Sequence, residues 1–77
     1  MYQITLAVEQ LQEGPYLGTS PELPGLIVQG ATAEEVIDLA PDIARDLIAV
    51  MVETGQELPT ALRRVDLPAR LPIVVLA

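Results

Sequence analysis

Residues Glu13–Glu35 read EGPYLGTSPELPGLIVQGATAEE, and the fold turns on how they are taken. Tyr16–Ser20 suits a short strand, in which Gly18 either weakens the ladder or marks a close approach. Pro21-Glu22-Leu23-Pro24-Gly25 is a stiff connection, because a proline has no N–H to give to a central ladder. Leu26–Gln29 follows as a short apolar strand, expected to be covered on both faces. Thr32 and Glu35 then stand at capping-box spacing, so a helix starts there, and the acids Glu34, Glu35 and Asp38 suit its positive end.

Working outward, the helix continues with apolar residues at Val36, Leu39, Ala40, Ile43, Leu47, Val50 and Met51, which is one helical face. Gly55 is placed to close it, with Pro59 soon after. Pro41 lacks the N–H that should bond the Ile37 carbonyl, so a kink or a break is expected there. On the N-terminal side, Tyr2, Ile4, Leu6 and Val8 alternate with Gln3, Thr5 and Glu9, the period of a half-buried strand. Gln10–Pro15 turns that strand back, with Gly14 supplying the backbone freedom. On the C-terminal side, Ala61–Val65 fits a helical turn or an edge strand, and Ile73–Leu76 reads as a final strand after Pro68 and Pro72. The whole is an α+β chain of order β-β-β-α-β: one two-layer domain over residues 1–77, with one long kinked helix packed on the sheet.

Composition narrows the chemistry. The 77 residues include no Cys, His, Lys, Trp or Phe, which removes disulfides, Cys/His zinc sites, thiol nucleophiles, Ser-His-Asp triads and Schiff-base lysines. Magnesium chemistry needs acids converging from separate elements, and here the middle of the first strand is Thr5-Leu6-Ala7 while the last strand has no acid. The lone serine, Ser20, has no base to activate it. No catalytic residue, metal or cofactor is therefore expected. Eleven acids against four arginines give a net charge of −7, which repels phosphates and favours a basic protein as partner. Direct nucleic-acid binding is not expected. At 51% hydrophobic and 19% charged residues, the chain is too apolar for intrinsic disorder. Its longest apolar runs, Ile48–Val52 and Ile73–Ala77, are far short of the roughly 18 residues of a membrane span. MYQITLAVEQ has neither a basic start nor a long apolar core, so a cytoplasmic protein without a signal peptide is expected.

Two helix features bear on partners. Ile37, Ala44, Ile48 and Val52 lie beside the core face, so either the C-terminal segment folds over this flank or it forms a subunit interface. A domain this small, without staples, gains from self-association, and a homodimer or higher assembly is expected. The opposite side carries Glu34, Asp38, Asp42 and Asp46 at successive four-residue spacings, where like charges repel. Asp46 has Arg45 beside it, while the first three have no basic neighbour in sequence. Residues 1–44 hold seven acids and no base; residues 45–77 hold four of each. This side is either a solvated face or a docking surface for a basic partner.

The Glu13–Glu35 stretch resembles the HicB-like antitoxin domain. The matching positions are Gly14 and Tyr16, then Pro21-Glu22-Leu23-Pro24-Gly25, then Gly30, Thr32, Glu34 and Glu35. Gly55-Gln56-Glu57-Leu58-Pro59 is similar to the family's Gly-Glu-x-x-Pro ending of the helix. The resemblance covers residues 1 to about 59 and takes in the final strand. It implies a truncated ribonuclease-H-like architecture: a three-stranded antiparallel meander, a helix on one face, and a fourth strand beside the first. It also implies a partner, a small basic ribonuclease toxin of the HicA type that the antitoxin binds and blocks. Family members that repress their own operon carry a C-terminal DNA-binding module, and the resemblance does not extend to one. Candidate toxin contacts are the stiff loop Glu22-Leu23-Pro24 and the acidic side Glu34, Asp38 and Asp42. The alternative function, from a different class, is an orphan self-associating module with a structural or small-ligand role.

Overall fold

The computed structural model describes all 77 residues, Met1–Ala77. Its elements are β1 (Tyr2–Gln3), β2 (Ala7–Gln10), β3 (Tyr16–Thr19), β4 (Val28–Gly30), α1 (Ala33–Glu53) and β5 (Arg63–Arg64). β2, β3 and β4 form the antiparallel meander, with Val8 opposite Gly18 and Gly18 opposite Val28. α1 packs on one face of it, giving the two-layer α+β domain. No helix is long and apolar enough to cross a membrane.

The helix ends follow local chemistry. Thr32 is extended, and its Oγ1 accepts from the Glu35 N–H at 3.1 Å. The Glu35 carboxylate reaches back to the Ala31 N–H at 3.4 Å, one residue earlier than an ideal capping box. At the other end Gln56 N–H bonds the Met51 carbonyl at 2.9 Å and Gly55 N–H bonds that of Val52 at 3.2 Å. With Gly55 at φ +74°, this is a complete Schellman stop. Pro41 sits within the helix and does not break it.

The sheet departs from expectation at four places. The first strand is interrupted, because Ile4–Leu6 lie outside the ladder and the Thr5 N–H donates to the Glu22 carboxylate. The turn at Gln10–Pro15 takes its left-handed residue at Glu13 (φ 55°), so Gly14 is not where the backbone needs freedom. Ile27 is 67% exposed, and the third strand is covered on one face only, through Leu26 and Val28. The strand beside β1 is Arg63–Arg64, with Tyr2 opposite Arg64 and Gln3 opposite Arg63. Ile73–Leu76 is in no ladder.

The core is thin. Leu23, Leu26 and Val28 meet Val36, Ala40 and Ala44 of the helix, and Ile4, Leu6, Tyr16, Leu47, Ile48 and Met51 flank them. Leu39, Ile43 and Val50, expected in the core face, are exposed. At 100° per residue the buried face, centred on Ala40, is turned about 40° from the expected one. The sheet meets the helix over Gly18 and Val28, and only small or β-branched residues at positions 36, 40 and 44 let the two layers approach that closely.

Candidate interaction surfaces

The Pro21–Gly25 loop is built inward. Leu23 is fully buried in the core, with its carbonyl accepting from the Leu26 N–H at 3.1 Å. Glu22 is half-buried and holds the Thr5 amide. Leu23 is therefore withdrawn as a partner contact: a side chain with no accessible surface cannot dock. Of the three loop candidates, only Pro24 stands exposed. Gly25 turns the chain at φ +98°, which is what lets the loop dip Leu23 under the sheet and return.

The acidic side of α1 is presented as expected. Glu34, Asp38, Asp42 and Asp46 are all exposed. Arg45 pairs with Asp42 at 3.4 Å rather than with Asp46, and both side chains are about three-quarters exposed (75% and 74%). Such a pair contributes roughly 0–1 kcal/mol, so it leaves most of the repulsion along this side in place. No three of the carboxylates converge on a point that could hold a metal ion.

The second surface is an open apolar groove of about 1080 Å³. Its floor is the helix flank Ile37, Ala44 and Ile48, and one wall is the first segment, Tyr2, Ile4 and Leu6. Leu71–Val74 border the other side without sealing it: Ile73 is 81% exposed and Val74 70%. Three of the four residues expected at a subunit interface thus line one groove. Val52, the fourth, is exposed elsewhere on the helix. Part of the groove was readable in the alternation of Tyr2, Ile4 and Leu6, a face that needs something to cover it.

No family model, curated protein or solved structure matches the chain. The two surfaces differ in chemistry, one a charged ridge and the other an apolar trough, and each suits a different occupant.

Proposed function

We propose that this chain is a cytoplasmic, non-catalytic HicB-like antitoxin that binds and neutralises a small basic ribonuclease toxin of the HicA type. The observation that carries the reading is the exposed acidic side Glu34, Asp38 and Asp42, whose only ion pair is the weak one between Asp42 and Arg45. Mutually repelling carboxylates gain when a cationic surface arrives, and the gain appears chiefly in the association rate. A toxin that grips RNA through lysines and arginines offers that surface, and covering it blocks the substrate. The family-like residues support the same reading. Pro21, Pro24 and Gly25 shape the loop, Thr32 and Glu35 cap the helix, and Gly55 ends it, so the motif is the frame that carries the acidic side. The protein acts on RNA only through its partner and does not bind duplex DNA or RNA itself.

Co-expression tests this. The chain is expected to relieve growth arrest by a HicA-like toxin and to co-purify with it. Persistent arrest, with no complex in a pull-down, would sink the proposal.

A further inference from the structure

The isolated chain leaves too much surface open. It exposes 5869 Å², whereas a compact monomer of 8.3 kDa exposes about 4600 Å². The excess, roughly 1300 Å², exceeds the ~800 Å² per partner of a standard interface. The radius of gyration is 13.4 Å, against about 11.5 Å for a compact domain of this length. Only 33 backbone–backbone hydrogen bonds form, where a folded chain of 77 residues makes about 50. Much of this deficit lies in one place. From Asp66 to Ala77 the chain enters no helix or strand, and Ile73, Val74 and Val75 are 70–81% exposed.

Ile73-Val74-Val75-Leu76 is apolar on both faces of an extended chain, the pattern of a strand covered on both sides. In the single chain it enters no ladder, so its backbone N–H and C=O groups lack strand partners while its side chains stand open. A receiving edge exists. β2 pairs with β3 alone, so its outer edge offers unpaired N–H and C=O groups, and all four of its residues are exposed. Charge allows the pairing despite the net −7. Residues 61–77 carry Arg63, Arg64 and Arg70 against Asp66, whereas residues 1–44 carry seven acids and no base. The C-terminal segment of one copy is thus attracted to the N-terminal half of another, and a two-fold axis makes both contacts at once.

The structure assigns the groove, on these grounds, to a second copy of this chain. Each C-terminal segment Ile73–Leu76 runs along the free edge of the partner's β2, and its apolar side chains fill the partner's groove over Ile37 and Ile48. Pairing of this kind requires no toxin and goes beyond toxin binding.

Light scattering of the full chain at tens of micromolar is expected to give twice the 8.3 kDa monomer mass. Val74→Asp and Val75→Asp alter side chains exposed in the single chain, so each is expected to release folded monomers with at least a hundredfold weaker association. Because the chain has no cysteine, Ala7→Cys with Val75→Cys reports the geometry directly. Oxidation is expected to give a covalent dimer on a denaturing gel, whereas neither single variant is expected to give one. A monomeric parent chain, an intramolecular link in the double variant, or a dimer indifferent to both aspartates would each overturn the assignment. These outcomes are independent of growth rescue, so failure here and failure of toxin binding are distinguishable.

Discussion

A Cβ atom added to Gly18 of β3 would lie 2.6 Å from Cγ1 of Val36 in α1 and 3.1 Å from Cδ1 of Leu6. The helix thus rests on the sheet at a strand position with no side chain, and Val36, fully buried, has nowhere to retreat. The strand ahead of the Pro21–Gly25 loop and the first turns of the helix meet at this point, so the spacing of the two layers is set there.

Gly18→Ala is expected to destabilise the domain by about 1–3 kcal/mol through overpacking. Val36→Ala removes the obstructing methyl groups. In the double variant the cost of Gly18→Ala should therefore largely vanish, a coupling of about 1–2 kcal/mol in urea unfolding. Additive costs would show that the approach is relieved by some other movement.

Glu22 bridges 17 positions of sequence to hold the Thr5 amide where the first strand is interrupted. Glu22→Ala leaves that N–H to water, at a cost of about 1–2 kcal/mol. Hydrogen exchange at Thr5 is expected to quicken by roughly tenfold, while the Val36 amide in the helix changes only with global stability. Unchanged protection at Thr5 would rule the bridge out.

The left-handed Glu13 is an opportunity for stabilisation. An L-residue with a longer side chain pays about 1–2 kcal/mol there, and asparagine tolerates the conformation better. Glu13→Asn is expected to raise stability by about 0.5–1 kcal/mol. Gly14→Ala, where a Cβ would meet only the Gln12 carbonyl at an ordinary 3.5 Å, should be nearly neutral. Thermal unfolding of the two variants reads the difference, and the reverse order would place the turn differently.

Asp38→Asn with Asp42→Asn removes two charges from the acidic side. If the proposed function holds, association with a HicA-type toxin is expected to slow several-fold, and its salt dependence to flatten, with dissociation little changed. The fold should be unaffected or a few tenths of a kcal/mol more stable, since like-charge repulsion is relieved and the lost Arg45 pair is exposed. Stopped-flow association at two salt concentrations decides it: rates equal to the parent's would make this side a solvated face.

The parts of the fold legible in the sequence are those set by neighbours along the chain. Thr32, Glu35 and Gly55 announce the helix ends because a cap is satisfied within three to five residues. The meander is legible because tight connections leave few other pairings. The rotation of α1 was not, because bulky Leu39, Ile43 and Val50 outweigh Ala44 on a helical wheel, while close packing over Gly18 rewards the small residues. Nor was the burial of Leu23: two prolines suggest a loop held outward, and only the three-dimensional path shows it turning under the sheet. The acidic side was read directly from spacing, whereas the groove needed both ends of the chain brought beside the helix.

The ladder between β1 and β5 joins Tyr2 to Arg64 and Gln3 to Arg63, about 60 residues apart in sequence. Closing so long a loop is entropically costly, and two residue pairs with one further bond from Val65 N–H to the Met1 carbonyl return little for it. Folding is therefore expected to run in a set order, with the meander and helix first and the chain ends joined afterwards. φ-values near zero at Tyr2 and Val65, with higher values through the helix start, would mark that order; high values at the ends would reverse it. The groove wall belongs to the late step, so under the proposed pairing a second copy can dock only once the two ends of the chain have met.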